Sequence, residues 1–346
     1  MENWQEDSVG SVYNYLSPGC RLCRQGAGLV LFVTGRCPRS CFYCPLSQER
    51  KGHDLVFADE MRVEDISEIL EEGRAIEALG TGITGGEPLH KLDYVLQCIR
   101  ALKAAFGREH HIHLYTGILP EQETLQKLRE AGLDEIRFHP PLEEWSNPGP
   151  LTQSLREARS LGLLAGVEIP AIKEAPAIVQ AVKDADAFLN INELEFSETN
   201  YAALAAEGFM PVELGCAVLG SEETARRHFL KEDIRAHYCP SRFKDAVQLR
   251  ERLLRRARRN ARPFDCVSQE GTIIHGTIEG DTALVLPILE DLGVPDQMYC
   301  LRKGGIDIAA AILEDIAEDL KRIDCALCLV ERYPLQDGIV VERIHL

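Results

Sequence analysis

Short apolar segments alternate with amphipathic ones over residues 28–195 of this chain. The amphipathic segments repeat their apolar residues at helical spacing, most clearly over residues 63–76 and 92–106. Six apolar segments rich in β-branched residues are typical of buried strands, and they cover residues 28–34, 78–84, 111–116, 133–139, 164–170 and 187–195. Strands that alternate with helices predict an α/β fold with a parallel sheet, whose ligand sites lie at the carboxyl ends of the strands.

The pattern changes after Pro263, where the predicted strands become short. We expect these strands at residues 266–267, 272–278, 298–302, 326–332 and 338–344, with helices at 283–292 and 306–320. This order predicts a small α+β domain. We therefore divide the chain into a cysteine-bearing N-terminal extension (1–27), a six-unit β/α region (28–235) and a C-terminal part (236–346) that contains a basic helix and the α+β domain.

The composition is that of a globular protein without a membrane span. Of the 346 residues, 45% are hydrophobic and 27% are charged, and no run approaches the roughly 20 apolar residues that cross a bilayer. Because residues 1–10 lack both a basic and an apolar region, we expect no export signal and a cytoplasmic protein. A net charge of −17 disfavours indiscriminate binding to nucleic acid. Twelve cysteines in a reducing compartment indicate metal or cluster ligation rather than disulfides.

Three of the cysteines stand close together directly after the first predicted strand. Cys37, Cys41 and Cys44 are separated by three and then by two residues, so their thiolates can converge from one short loop on one iron–sulfur cluster. Three thiolate ligands leave one iron of a four-iron cluster open. A buried cysteine-rich loop, or half of a zinc site, is the alternative that the spacing alone leaves open.

A second motif follows the cysteine loop. Tyr43 precedes the last cysteine, and residues 84–88 read Thr-Gly-Gly-Glu-Pro. Together these motifs resemble the radical S-adenosylmethionine (radical SAM) superfamily, which has a glycine-glycine-glutamate-proline motif. The resemblance implies a partial (β/α)6 barrel and a 4Fe-4S cluster on Cys37, Cys41 and Cys44, with S-adenosyl-L-methionine (SAM) chelated to the open iron. It also implies reductive cleavage of SAM to methionine and a 5′-deoxyadenosyl radical that abstracts hydrogen from a substrate.

The same resemblance assigns residues to the binding of SAM. Tyr43 adjoins the cluster, Gly85 and Gly86 permit a close backbone approach, and Glu87 can accept a hydrogen bond from the ammonium group of SAM. Thr116 lies in the segment that resembles the third-strand contact to the ribose, although the asparagine often found there in relatives is missing.

Further polar side chains fall near the ends of the later predicted strands. Arg137 and His139 share one face of the fourth strand, Glu168 lies on the fifth, and Asn190 and Asn192 lie on the sixth. As a set they predict a polar cavity, and Arg137, His139 and Glu168 are candidates for contacts to the cofactor or substrate. The alternative for each is an ordinary hydrogen-bonded residue of the sheet.

Three cysteines outside the motif are candidates for a second site. Cys20 and Cys23 have the spacing of a metal knuckle, and Cys239, close to His237, is the most loop-like of the remaining thiols. Cys20, Cys23 and Cys239 could therefore bind zinc or an auxiliary iron–sulfur cluster, or no metal at all. The other cysteines are expected to be packing residues, namely Cys98, Cys216, Cys266, Cys300, Cys325 and Cys328.

A strongly basic segment follows the predicted β/α region. Residues 242–262 contain nine Lys or Arg and two acids, a local charge of +7 in an acidic chain. Apolar residues at helical spacing predict an amphipathic helix that packs on the protein and presents its arginines outward. Such a helix can bind RNA phosphates or an acidic polypeptide, or it can pair with acidic neighbours of the same chain.

Two classes of function follow from these features. The first is a radical SAM enzyme, most similar to the activating enzymes of glycyl-radical enzymes such as the pyruvate formate-lyase branch. It would use a one-electron donor and act on a protein or a tRNA. The second is a catalytically degenerate iron–sulfur protein that binds RNA through the basic helix. The intact cysteine and glycine motifs favour the enzyme.

Overall fold

Seven parallel strands, one more than the sequence pattern predicts, form the main sheet of the described chain. The computed structural model describes residues 4–335 and 338–346, so residues 1–3 of the predicted extension lie outside it. The chain divides into two units. Residues 1–74 and 78–248 form the first unit, and residues 75–77 and 249–346 form the second.

The main sheet belongs to the first unit. Its strands run in the order β1-β2-β11-β10-β9-β8-β7-β6-β3-β4-β5, and those from β11 to β3 in this order are the parallel ones. The strands are β1 Gln5–Glu6, β2 Val12–Tyr13, β3 Gly28–Phe32, β4 Val56–Ala58, β5 Met61–Val63, β6 Gly80–Thr84, β7 His111–Thr116, β8 Glu135–Phe138, β9 Leu164–Pro170, β10 Phe188–Asn192 and β11 Arg235–Cys239. The helices are α1 Pro18–Arg24, α2 Ile66–Ala75, α3 Leu92–Phe106, α4 Gln122–Ala131, α5 Gly149–Ser160, α6 Pro176–Asp184, α7 Tyr201–Ala206 and α8 Ser221–His228, with short 3₁₀ turns at Pro88–Lys91 and Leu142–Glu144 and a π-helix at Lys244–Leu249.

All six predicted strands are present, which confirms the α/β fold class. The seventh parallel strand, β11, was not predicted, and neither were the short strands β1, β2, β4 and β5. We expected the β/α region to end at residue 235 and interpreted Cys239 as part of a loop, but Arg235–Cys239 pairs in parallel with β10. His237 and Tyr238 give this strand a polar sequence, although both side chains are buried. The division between the units accordingly falls after Gln248, beyond the boundary that we expected.

The main sheet curves around helix α1. This helix contacts β3, β6 and β7, and Asn190 of β10 donates a hydrogen bond to Cys20 Sγ at 3.4 Å. Seven strands laid flat would span about 29 Å, because neighbouring strands lie about 4.8 Å apart. A helix of 7 residues is only about 10 Å long. It can reach strands near both sides of the parallel array only if the sheet is rolled into a partial barrel, with α1 inside the curve.

The second unit is the predicted α+β domain, although Gly305–Ile308 is a strand where the sequence predicted the start of a helix at residue 306. Its antiparallel sheet runs in the order β14-β15-β13-β16-β17, and β12 pairs with β13. The core is apolar and includes Ile278, Leu289, Ile306, Leu313 and Leu327. The elements are α9 Arg250–Asn260, β12 Cys266–Val267, β13 Ile273–Gly280, α10 Thr282–Asp291, a 3₁₀ turn at Asp296–Met298, β14 Tyr299–Arg302, β15 Gly305–Ile308, α11 Ala310–Leu320, β16 Cys325–Arg332 and β17 Val340–His345.

Disulfides and membrane spans are both absent from the described chain. No disulfide joins any of the twelve cysteines, all of which lie within residues 4–335. Across the two described ranges, no helix is both long enough and apolar enough to cross a bilayer.

Candidate functional site

The cysteine loop, residues 33–55 between β3 and β4, packs against the turn that follows β6. The N–H groups of Gly86 and Glu87 donate to the carbonyl oxygens of Thr34 (2.6 Å) and Arg36 (2.9 Å). A Cβ atom at Gly86 would lie 2.5 Å from the Arg36 oxygen, and one at Gly85 would lie 2.7 Å from the Thr34 oxygen. Because Cβ atoms do not approach an oxygen so closely, both positions require glycine. The glycine pair therefore fixes the beginning of the cysteine loop.

The three motif cysteines lie near one another in this loop. Cys37 is exposed and Cys41 and Cys44 are partly exposed. Burial raises the pKa of Cys37 and of Cys41, and the negative charge of a neighbouring Cys44 thiolate raises both further. In the described residues, no three Cys, His, Asp or Glu side chains are arranged to share a single metal ion. A four-iron cluster binds its cysteines through different iron atoms, so three separated thiols on one loop fit such a cluster.

The segment after β10 holds the other half of the cysteine loop. Asn200 Nδ2 donates to the Tyr43 carbonyl oxygen at 3.1 Å, and Thr199 Oγ1 donates to the Leu46 carbonyl oxygen at 2.5 Å. The Tyr43 ring is buried with four apolar side chains of the same segment, Leu194, Phe196, Leu204 and Val218. The sequence pattern does not single out Asn200 and Thr199, since an asparagine before a short helix has the pattern of an ordinary N-cap.

Two predicted cofactor contacts, Tyr43 and His139, are hydrogen-bonded to each other. The His139 Nδ1–H donates to the Glu168 carbonyl oxygen at 2.8 Å, which leaves Nε2 to accept from the Tyr43 hydroxyl at 3.2 Å. Burial lowers the pKa of His139 and favours this neutral form. The pair ties the cysteine loop to the end of β8.

Glu87 and Thr116 form a buried bridge between the ends of β6 and β7. The Glu87 side chain is 1% exposed, and one carboxylate oxygen accepts from the Thr116 hydroxyl (2.8 Å) and the Leu89 N–H (3.0 Å). The other oxygen accepts from the Gly117 N–H at 2.8 Å. This second oxygen keeps one lone pair for a further donor. The ammonium contact that we predict for Glu87 would therefore add to an existing bridge.

Arg137 lies in the interior of the curved sheet, where protein groups surround it. All three guanidinium nitrogens donate within the protein, to Glu135 (2.6 Å), Tyr115 (2.7 Å), Ser17 (2.9 Å) and Glu168 (3.0 Å). We predicted Arg137 and Glu168 as cofactor contacts from strand alternation. The structure places Arg137 at the centre of a buried network, because Ser17, which precedes α1, enters the barrel from a distant part of the chain; the cofactor contacts stay predictions.

Glu135 is the fully buried anion of this network. Burial alone would raise its pKa, but the Arg137 guanidinium and a hydrogen bond from His111 outweigh burial and hold the pKa well below the usual range. Glu168 is the second anion, and it also accepts hydrogen bonds from Asn190 (3.1 Å) and Asn192 (2.9 Å). The polar side chains on the later strands therefore meet, as the alternation indicates.

Cys20, Cys23 and Cys239 also lie near one another inside the sheet. Burial raises the pKa of Cys239 well above its usual range, and the charges of Cys23 and Cys20 raise it further. Burial lowers the pKa of the nearby His237 to about 3. Neither ring nitrogen of His237 has a hydrogen-bond partner in the part of the chain that the structure describes. These thiols are not arranged around a single ion there.

Helix α9 differs from the predicted basic helix because two of its arginines are buried rather than outward-facing. Arg252 and Arg256 are both buried, and Arg256 Nε donates to the Pro334 carbonyl oxygen at 2.7 Å. Arg255 donates to two carbonyl oxygens of the same unit. Long arginine stems can pack on apolar surface while their nitrogens find carbonyl partners. Arg258 and Arg259 of this helix are exposed.

Comparison with known proteins agrees with this site. The radical SAM superfamily model matches residues 31–158, and a domain of unknown function (DUF8061) matches residues 271–346. A protein of Methanocaldococcus jannaschii, provisionally named a glycyl-radical enzyme activating enzyme, is 39% identical over 96% of this chain and 94% of its own length. The PqqA peptide cyclase of Granulibacter bethesdensis is 29% identical over 44% of this chain and 37% of its own length.

Among solved structures, methylornithine synthase matches with a TM-score of 0.39 and 14% identity over 52% of this chain and 58% of its own. That similarity is too distant to bear on the substrate. The relative that is similar along nearly the whole chain and the superfamily match over the cysteine loop agree with each other. The chain therefore belongs to the radical SAM superfamily of enzymes, whose members use a 4Fe-4S cluster and SAM.

Proposed function

We propose that this enzyme cleaves SAM reductively and uses the resulting radical to take a hydrogen atom from a polypeptide. The observation that carries the proposal is the meeting of the cysteine loop with the Gly-Gly-Glu-Pro turn at the carboxyl ends of β3 and β6. In a parallel sheet this is the end at which ligands bind. Reductive cleavage of SAM to methionine and a 5′-deoxyadenosyl radical is the chemistry that the cluster and SAM supply when bound.

The residues of the chain have distinct roles in this proposal. Cys37, Cys41 and Cys44 hold the cluster as thiolates. Glu87 offers its remaining lone pair to the ammonium group of SAM, and Thr116 positions the carboxylate for that contact. Tyr43 acts indirectly, because its hydroxyl and ring fix the cysteine loop and leave little of the side chain exposed. Arg137, His139 and Glu168 also act indirectly, through the hydrogen bonds that join the ends of the later strands.

A polypeptide substrate is supported by the relatives and by the charge of the chain. The relative that covers nearly the whole chain is named for activating a glycyl-radical enzyme, and a partial relative is named for cyclising a peptide. A tRNA substrate loses support because α9 buries part of its charge. We therefore infer that a glycyl residue of a partner protein donates the hydrogen atom, and that a one-electron donor protein reduces the enzyme. The reduced thiols that the site needs fit the cytoplasm.

A second iron–sulfur site at Cys20, Cys23 and Cys239 is a separate part of the proposal. Its support is the proximity of three thiols beside an unpartnered, buried histidine in the described interior. We do not extend it to zinc, because these side chains are not gathered around one ion in the described structure.

The proposal is tested by looking for a radical on a polypeptide. Cluster-loaded, reduced enzyme is incubated without oxygen with SAM and an extract of the source organism, and electron paramagnetic resonance is recorded beside an assay for 5′-deoxyadenosine. We expect an organic radical in the protein fraction, absent with Cys41→Ala and present with Cys98→Ala. If 5′-deoxyadenosine forms but no radical appears on a protein, SAM cleavage is supported and the polypeptide substrate is rejected.

A further inference from the structure

A long acidic segment with exposed apolar residues stands directly beside the cysteine loop. Residues 193–223 contain seven glutamates and no Lys, Arg or Asp. Hydrogen bonds from Asn200 and Thr199 tie this segment to the cysteine loop, and Gln48 of that loop donates its N–H to Glu198 at 2.5 Å. The segment around Thr199 is therefore close to the proposed site of chemistry, and Val218 of the same segment packs with Tyr43 of the cysteine loop.

The outer part of this segment is a short hairpin, residues 210–219. The Val212 N–H donates to the Ala217 carbonyl oxygen at 3.0 Å, and the Leu219 N–H donates to the Met210 carbonyl oxygen at 2.8 Å. Residue Leu214 lies at the tip with 93% of its surface exposed. The register of the hairpin places Met210 and Leu219 opposite each other, and both are more than half exposed.

The burial pattern separates the two sides of this segment. Phe196, Leu204 and Val218 pack inward with Tyr43. Met210, Leu214 and Leu219 point away from that core, although burial of each would be favourable. Exposed large apolar residues that cluster on a soluble protein commonly mark an interaction site. None of these three residues belongs to the described apolar group that packs with Tyr43.

The charge around the apolar cluster selects the kind of partner. Glu207 precedes the hairpin, Glu213 lies within it beside Leu214, and both are exposed, while the chain as a whole carries −17. Such a surface repels RNA and anionic peptides and attracts cationic ones. Resting on the proposed function, we infer that the hairpin 210–219 docks a cationic, apolar segment of the polypeptide substrate, and so selects which protein reaches the cluster.

Peptide binding to the complete, cluster-loaded enzyme tests this inference. The probes are two fluorescein-labelled 15-residue peptides that alternate Leu with Lys or Leu with Glu, and a 15-nucleotide poly(U), each followed by fluorescence anisotropy without oxygen. We expect the Leu/Lys peptide to bind and the other two not to bind. Its affinity should fall as salt rises, because exposed charges are screened.

Surface variants locate the binding. Leu214→Ser with Met210→Ser should weaken Leu/Lys peptide binding about tenfold or more. Leu301→Ser, which changes an apolar residue of similar type that is 59% exposed in the second unit, should leave binding unchanged. Glu207→Lys with Glu213→Lys should weaken the Leu/Lys peptide and strengthen the Leu/Glu peptide. Circular dichroism melts of each variant show whether the fold is retained.

Several outcomes would overturn the inference. Equal binding of both peptides, tight binding of poly(U), or peptide binding that the hairpin variants leave intact would each place the partner elsewhere. A dimer in sedimentation that Leu214→Ser dissociates would make a second copy of the chain the occupant. SAM cleavage without added substrate should be unchanged in every hairpin variant. If the wild type cleaves SAM but does not bind the Leu/Lys peptide, only the docking surface is rejected. If the wild type does not cleave SAM, the proposed function is rejected.

Discussion

Replacing Arg137 tests whether this residue supports the fold or contacts the cofactor. The Arg137 side chain is 3% exposed, and Glu135, its closest partner, is fully buried. Arg137→Met keeps much of the side-chain volume but leaves the Glu135 carboxylate without its cation. Removing one member of a buried ion pair costs about 3–5 kcal/mol, mainly because a charge then remains buried and unpaired. We expect a loss of this size in the free energy of unfolding at pH 7.

Urea unfolding followed by circular dichroism measures this loss. In the wild type the pKa of Glu135 is lowered from 4.5 in the folded state, so its stabilising effect is present above about pH 4.5 and is lost as the pH falls through the lowered pKa. In Arg137→Met, protonation of Glu135 instead removes the unpaired charge. The deficit of the variant should therefore shrink in acid.

Two further variants make the test specific. Adding Glu135→Gln to Arg137→Met should recover much of the stability, because the unpaired charge is gone. Arg156→Met, a change at an exposed arginine of α5 that donates to the Asp184 carbonyl oxygen, should stay within about 0.5 kcal/mol of the wild type. If Arg137→Met keeps its stability but loses SAM affinity, the residue contacts the cofactor and our structural interpretation is wrong.

Three other changes probe separate parts of the molecule. In Glu87→Gln one carboxylate oxygen becomes an amide nitrogen, which cannot accept the hydrogen bond from Thr116 or from Gly117, whichever it faces. We therefore expect the free energy of unfolding to fall by about 1–3 kcal/mol. SAM binding, measured by equilibrium dialysis, should also weaken. Unchanged SAM affinity would show that Glu87 only braces the two strands. Burial lowers the pKa of His110 to about 4, so the unfolded chain binds its proton first as the pH falls below about 6.5, and stability is lost from there down to about pH 4. His110→Gln keeps a hydrogen-bond partner for Thr81. In this variant the free energy of unfolding should fall less steeply over that pH range, and a fall as steep as in the wild type would contradict the prediction. Changing both Cys20 and Cys239 to Ser should remove iron and sulfide beyond the first four irons, whereas a wild-type content of only four would reject the second site.

The sequence predicted those parts of the fold that depend on neighbouring residues. The six apolar strands were found because their side chains repeat locally, and the glycine motif was found because its residues are consecutive. β11 was missed because His237 and Tyr238 are polar residue types that the curved sheet nevertheless buries.

The candidate site shows the same division between local and distant information. The motif of Cys37, Cys41 and Cys44 could be predicted from the sequence because all three residues lie in one short loop. The partners of Arg137 are not, because Ser17 and Glu168 reach it from different elements only after α1 enters the curve of the sheet. Likewise, strand alternation predicted Glu168 and Asn192 as members of one polar set but did not specify that they bond to each other rather than to a ligand.

The most direct test of the central claim is the release of 5′-deoxyadenosine from SAM by the purified enzyme. The protein is reconstituted with iron and sulfide without oxygen, reduced with dithionite, and assayed by chromatography beside Cys41→Ala and Cys98→Ala. We predict deoxyadenosine from the wild type and Cys98→Ala, and none from Cys41→Ala, which should also lose the cluster absorption. Equal release from Cys41→Ala and the wild type, or no release from a wild type that contains a complete four-iron cluster and binds SAM, would contradict the account.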